Sequence, residues 1–215
     1  MPEIALFPLN VVLMPGAPLP LHIFEERYRQ MIDECLENET EFGMVFADEK
    51  GTRGIGCTAK VVELAERYED GRMLVLTEGR RRFRLGDIHS DRAAYLVGEI
   101  EFIEEDKLPP EMAPLAEECV ALLERVVEAA TEGSAAIEIE PPYRNLAFAI
   151  AGRIDFGAET RQQILELPNE RERLEVVRSL LQQAAERLES QRSAQEKSRT
   201  NGHLRKDWKP GETPN

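Results

Sequence analysis

Along the first hundred residues the apolar positions mostly alternate with polar ones, while beyond residue 110 they recur every third or fourth position. The run Glu3–Leu9 predicts a first strand, and Leu19, Leu21 and Ile23 predict a second. Pro18 and Pro20 make that second strand irregular or place it at an edge, because proline brings no N–H donor. Between the two, Val11, Val12, Leu13 and Met14 form an apolar run typical of a buried strand, stopped by Pro15-Gly16. From Glu25 the period changes to 3.6. Tyr28, Met31, Ile32, Cys35 and Leu36 lie on one helical stripe, with Glu25 and Glu26 in the first turn, where the helix dipole favours negative charge.

Phe42–Ala47 reads as a short apolar strand bounded by polar residues, and alternation returns at Ile55, Cys57, Ala59 and Val61. It slips at Val61-Val62, which predicts a β-bulge that bends the strand. Asp70-Gly71 predicts a hairpin between Val61–Tyr68 and Arg72–Thr77. Gly79–Leu85 reads as a further strand, with Phe83 and Leu85 on one face and Arg82 and Arg84 on the other. Tyr95–Ile103 reads as the last, with Leu96, Ile100 and Phe102 on one side and Glu99 and Glu101 on the other. Short strands joined by local hairpins favour an antiparallel barrel over a βαβ sheet.

Lys107-Leu108-Pro109-Pro110 breaks this pattern and predicts a domain boundary. Met112, Leu115, Cys119, Leu122, Leu123, Val126 and Ala130 then make a broad helical stripe, ended by Gly133-Ser134 and Pro141-Pro142. Leu146–Ala151 is apolar all round and predicts a buried helix. Thr160 with Gln163, and Asn169 with Glu172, have the spacing of capping boxes. The second opens a long helix with the stripe Leu174, Val177, Leu181, Ala184 and Leu188. From Glu189 apolar residues almost vanish, so a frayed helix end and a disordered tail are expected. The organisation read here is a β-rich domain over 1–107, a helical domain over 108–188 and a tail over 189–215, an α+β chain. Trp208, the single tryptophan, falls in that tail and is either solvated or a short docking anchor.

Composition narrows the function. Forty-two per cent apolar residues support a core, and 27 Lys+Arg against 41 Asp+Glu give a net charge of -14 over 215 residues. So acidic a chain gains little from counterion release, which disfavours nucleic acid, and anionic membrane surfaces are disfavoured likewise. MPEIALFPLN has neither a basic start nor a long apolar stretch, and no window has the length of a membrane span. Cys35, Cys57 and Cys119 are odd in number and far apart, as in a protein that keeps its thiols reduced. A cytoplasmic location is expected.

The stretch FPLNVVLMPGAPLPLHIFEERYRQM closely resembles the opening of stand-alone Lon N-terminal domain proteins. IGCTAKV, EDGRMLVLTEGRRRF, AYLVGEIEFIEED and TRQQILELPNERERLEVVRSLL resemble its later segments, so the likeness spans about residues 4–188. It implies a PUA-like antiparallel pseudo-barrel with one embedded helix, followed by a helical bundle. It also implies recognition of polypeptide, the role usually given to this module ahead of an AAA+ motor and a peptidase in Lon proteases. The chemistry of those enzymes is not legible here. No Gly-Lys-Ser/Thr follows the glycines Gly51, Gly54 and Gly56, and no lysine lies in a Ser–Lys peptidase context. Gly-x-Ser-x-Gly, His-Glu-x-x-His and Cys-x-x-Cys are absent. The expectation is a non-catalytic chain without cofactor or metal.

Three readings of function follow. The first is recognition of unfolded or exposed apolar polypeptide, in the service of protein quality control, at a barrel rim, a groove beside the helices or an open strand edge. Met14, Pro15 and Leu19 are its candidate residues, since a small barrel need not enclose them all. The second is a regulatory contact with one folded partner or self-association through the helices, and the third is RNA binding by a PUA-like barrel. Arg80, Arg82 and Arg84 are candidate anion contacts for the third, although a solvated strand face paired with Glu78, Asp87, Glu99 and Glu101 is favoured. His22, beside Glu25 at the strand-to-helix junction, is expected to serve as a structural hydrogen-bonding residue.

Overall fold

The structure is a computed structural model describing residues 2–105, 109–131, 133–135, 137, 139 and 144–203, with side chains as far as Ala194. Its strands are β1 (Glu3–Leu9), β2 (Pro18–Ile23), β3 (Phe42–Asp48), β4 (Gly51–Thr52), β5 (Ile55–Arg67), β6 (Met73–His89) and β7 (Leu96–Phe102). Helix α1 (Glu26–Asn38) lies between β2 and β3. A 3-10 turn at Pro110–Met112 leads to α2 (Ala113–Thr131), α3 (Leu146–Ala151), α4 (Ala158–Glu166) and α5 (Glu170–His203).

The strands run in the order β1-β7-β6-β5-β3, and β1 pairs with β3 to close the ring; β4 extends β3 and β2 adds to β6. The closing pair is parallel, Leu6 opposite Gly43 and Pro8 opposite Val45, while the other pairings are antiparallel. The seam is parallel because α1 carries the chain back between β1 and β3. The two stretches read separately as Arg72–Thr77 and Gly79–Leu85 are one continuous strand, β6, which pairs with β2, β5 and β7 along its length. The hairpin forms at Asp70-Gly71, where Gly71 has φ 83° and its N–H donates to the Tyr68 carbonyl at 2.9 Å. The β5–β6 register shifts between Val61 and Glu63, as the slip in alternation predicts, and again after Cys57 and Leu64.

Leu6, Val45, Phe83 and Ile100 fill the barrel, one from each of four strands, and all four are no more than 1% exposed. Glycines provide the room. A Cβ on Gly56 would lie 2.6 Å from Phe83 and 2.5 Å from the Met44 carbonyl, and one on Gly98 would lie 2.6 Å from Leu6. Outside the wall, α1 and β2 cover a second core through Tyr28, Met31, Ile32, Leu21 and Ile23 packed with Phe42, Met44 and Val75. A third core joins Val12, Met14, Phe46 and Ile55 to the buried faces of α2, α3, α4 and α5.

Val11–Met14 is not a strand, contrary to the expectation from its composition. It is an extended loop with Val12, Leu13 and Met14 buried, and its side chains divide between the second and third cores. The backbone of the loop lies over Gly79, where a Cβ would come within 2.2 Å of the Met14 carbonyl. Its hydrogen bonds run to β6: Gly16 N–H to the Gly79 carbonyl at 2.8 Å and Gly79 N–H to the Ala17 carbonyl at 3.0 Å. Nor does Thr160 cap α4, which begins at Ala158 behind Gly157 (φ 80°). Asn169 does cap α5: its carbonyl oxygen accepts from Glu172 N–H at 3.0 Å, and its amide donates to the Glu172 carboxylate at 2.7 Å. That helix continues past Leu188 to His203. Lys107, Leu108, Pro141, Pro142 and Trp208 lie outside the described residues.

Candidate functional site

Three features around β6 bear on function: a buried ionic clamp, an exposed sheet face and a cleft at its end. The clamp is built on Arg82, which is 1% exposed rather than solvated as expected of that strand face. Its guanidinium pairs with Glu105 and donates to the carbonyls of Leu165 (2.6 Å) and Leu167 (2.9 Å) at the end of α4. Arg173 of α5, fully buried, donates to Glu105 (2.9 Å), Glu170 (2.9 Å) and the Leu167 carbonyl (3.2 Å). The other oxygen of Glu170 accepts the Ala147 N–H at the start of α3 at 2.9 Å. The Phe148 ring lies beside both guanidiniums, 5.3 Å from Arg82 and 4.3 Å from Arg173. Two arginines and two carboxylates thus tie the barrel to three helices, with each buried charge paired and hydrogen-bonded. Arg82, expected as a candidate anion contact, instead has its guanidinium engaged by Glu105 and the Leu165 and Leu167 carbonyls.

The exposed face follows from strand pairing. Directly opposite residues share a face, so Leu19, Leu21 and Ile23 point inward with Thr77, Val75 and Met73. The opposite phase points outward: Pro18 with Glu78, Pro20 with Leu76, His22 with Leu74. On the far side of β6 the outward partners are Lys60, Glu63 and Glu66. Pro18, Pro20 and His22 are exposed, and Leu74 and Leu76 half-buried. Phe24 continues the surface at 63% exposure, and its ring and that of Tyr68 meet the His22 imidazole edge-on at 6.2 and 6.1 Å. His22 is thus a surface residue held by aromatic contacts rather than a structural hydrogen bonder; no hydrogen bond to its ring is formed among the described residues. The face is an apolar strip flanked by Lys60 at one end and by the carboxylates of Glu63 and Glu66.

The cleft, about 540 Å³, lies between the Pro15–Pro18 turn, Glu78–Arg80 and α3, and is lined further by Arg144, Asn145 and Arg153. Arg80 pairs with Glu78 at 3.0 Å, and Arg84, farther along β6, faces Glu101 at 4.0 Å. Of the polypeptide-binding candidates, Met14 is 1% exposed in the third core and Leu19 is half-buried on the inner face. Pro15 is buried too but borders the cleft. The structure thus brings none of them together on an open surface. Sequence reasoning followed the Leu19–Leu21–Ile23 phase, which is the core, and passed over the alternate phase Pro18–Pro20–His22. Two prolines and an aromatic on the outward phase were the available signal.

Comparison with known proteins places the fold. The model of the ATP-dependent protease La (LON) substrate-binding domain matches residues 3–183. The chain belongs to this family. Curated relatives of this LON domain include the Lon protease of Anaeromyxobacter dehalogenans, 29% identical over 196 residues, covering 83% of this chain and 23% of that one. Lon protease 2 of Syntrophobacter fumaroxidans is 28% identical over 201 residues, covering 87% of this chain and 25% of its own. The chain therefore spans about a quarter of the length of the curated relatives it matches. Among solved structures, a Lon N-terminal domain protein from Xanthomonas campestris superposes with a TM-score of 0.62 at 26% identity, covering 81% of this chain and 96% of that one. The N-terminal domain of the Mycobacterium avium complex Lon protease gives 0.68 at 21% identity over 84% and 98%, a likeness of fold. The α+β LON architecture inferred from sequence is the one observed.

Among the described residues no helix is long and apolar enough to cross a membrane, and no group of three or more His, Cys, Asp or Glu side chains is placed to hold a metal ion. Burial pushes the Cys57 and Cys119 thiols up to about 12, so neither is an activated nucleophile at neutral pH.

Proposed function

We propose that this LON-domain chain is a non-catalytic recognition module in the cytoplasm, binding exposed apolar segments of unfolded polypeptide in protein quality control. The observation that carries the reading is the outward phase of β2 and β6. Pro18, Pro20, Leu74, Leu76 and Phe24 give an apolar strip whose burial would stabilise a complex by about 25 cal/mol per Å² removed from water. The family's description as a substrate-binding domain supports it. Glu63 and Glu66 along the strip favour apolar segments interspersed with Lys or Arg. Strand addition at the open edge of β2 is disfavoured, since Pro18 and Pro20 remove two donors from it. An RNA surface has little support, because Arg82 is buried and Arg80 and Arg84 face carboxylates.

The test is Leu76→Asp with Phe24→Ser, measured for binding of a reduced, carboxymethylated model polypeptide and for melting temperature. Both side chains point outward, so the expected result is weakened binding with near-unchanged stability. Unaltered binding by a folded variant would sink the proposal. Met14→Asp serves as the contrast, since it places a charge in the third core and is expected to unfold the chain.

A further inference from the structure

The cleft differs in charge from the rest of the molecule. In a chain of net charge -14, the described residues that line this space of about 540 Å³ include three arginines (Arg80, Arg144 and Arg153) and one carboxylate, Glu78. Described contacts commit one Arg80 nitrogen to Glu78 and one Arg153 nitrogen to the Ala149 carbonyl at 2.8 Å, whereas a guanidinium carries five donors. The floor is backbone and small side chains: Gly16, Ala17, Gly79, Ala149 and Gly152. A Cβ on Gly16 would meet nothing within 4 Å, so the entrance is open there.

The cleft is also continuous with the apolar strip. Pro18 and Glu78 face each other across β2 and β6 and both line the cleft. The next outward pair, Pro20 and Leu76, lies about 7 Å along the sheet, the span of two residues of extended chain. A polypeptide lying on the strip with its last residue in the cleft would put its apolar side chains on Leu76, Leu74 and Phe24. Its terminal carboxylate would then sit among the guanidiniums, where planar forked donors match the two oxygens.

We infer that the cleft takes the free C-terminal carboxylate of a bound polypeptide, so that the module distinguishes apolar chain ends from internal apolar segments. This rests on the strip being the polypeptide surface, and it adds a carboxylate subsite to it.

The experiment uses the full chain and three short fluorescent peptides of one apolar sequence, with a free C-terminal carboxylate, a C-terminal amide, or the amide with an internal Asp. Binding is followed by anisotropy. A charge-assisted hydrogen bond is worth about 1.5–3 kcal/mol, so the free acid is expected to bind at least about tenfold tighter than either amide. In the double variant Arg144→Gln/Arg153→Gln, both exposed positions, that preference should vanish while amide binding and melting temperature hold. Leu76→Asp should weaken all three peptides. Inorganic phosphate should compete with the free acid alone. Equal binding of acid and amide, a preference that survives in the folded double variant, or an internal Asp as good as the chain end would each overturn the carboxylate subsite and leave the strip standing. Failure of every peptide to bind would remove both.

Discussion

The barrel interior and the junction with the helices are equally buried and are held together in opposite ways. The interior is four apolar side chains, Leu6, Val45, Phe83 and Ile100, fitted against glycines. The junction buries two arginines and Glu170, pairs them with the largely buried carboxylate of Glu105, and directs Arg82 onto the Leu165 carbonyl. Hydrophobic burial is non-directional and scales with area, so the interior accepts any side chain of suitable volume. Paired buried charges are directional, and each is costly once its partner leaves. Shape governs the first region and hydrogen-bond geometry the second.

The largest expected effect comes from breaking the clamp. Arg173→Ala leaves Glu170 and Glu105 without their shared guanidinium, at a cost of about 3–5 kcal/mol read by urea unfolding. Arg173→Lys tests direction rather than charge. One ammonium cannot serve two carboxylates and the Leu167 carbonyl from a planar fork, so lysine should recover little. Phe83→Leu in the barrel, by contrast, should keep most of the stability that Phe83→Ala loses. A lysine that restores Arg173 function would erase the distinction between the regions.

Overpacking should be felt next. Gly56→Ala forces a methyl against the Met44 carbonyl and the Phe83 ring, and is expected to cost about 1–3 kcal/mol. Combining it with Phe83→Leu should recover part of the loss, as the ring atom is one of three close contacts, beside the Met44 carbonyl and Val45.

Thiol labelling then compares the two regions within one molecule. Cys57 lies in the barrel wall, and Cys119 faces the Leu174 carbonyl beside Arg173. Both thiols are raised to about 12 against an ordinary 9.0, chiefly by burial. A raised thiol contributes stability that is complete below pH 9 and lost as pH climbs toward 12, because the unfolded chain ionises first. At pH 8 both should therefore label only through opening, and Arg173→Ala should accelerate Cys119 more than Cys57.

The same contrast explains what was legible in the sequence. The barrel strands, the bulge near Val62, the Asp70-Gly71 hairpin, α1 and the buried α3 all follow from periodicity and turn chemistry, which are local. Val11–Met14 misled because an apolar run records burial but not hydrogen bonding, and its partner, Gly79, is remote in sequence. The clamp left no trace. Arg173 sits in the charged run ERERLE and Arg82 in GRRRF, and nothing local separates a buried arginine from a solvated one when its partners lie 23 and 83 residues away. The outer strip was present as the second phase of β2, hidden because the first phase already accounted for the strand.

The smallest effect gives the sharpest test of that last point. Arg82 and Arg84 are two residues apart on β6, share a face by alternation, and carry the same side chain. Arg82 is 1% exposed and bonded to Glu105, Leu165 and Leu167, whereas Arg84 is 66% exposed and 4.0 Å from a Glu101 that is 69% exposed. Solvent and salt screen the second pair, so Arg84→Gln should change stability by no more than about 0.5 kcal/mol. Arg82→Gln should instead destabilise by several times that amount, since it strands Glu105 beside a single remaining arginine. Unfolding midpoints of the two variants, measured at low and moderate salt, decide the matter. If the variants fall within error of each other, burial at the junction is not what distinguishes these arginines, and the clamp is not what holds barrel to helices.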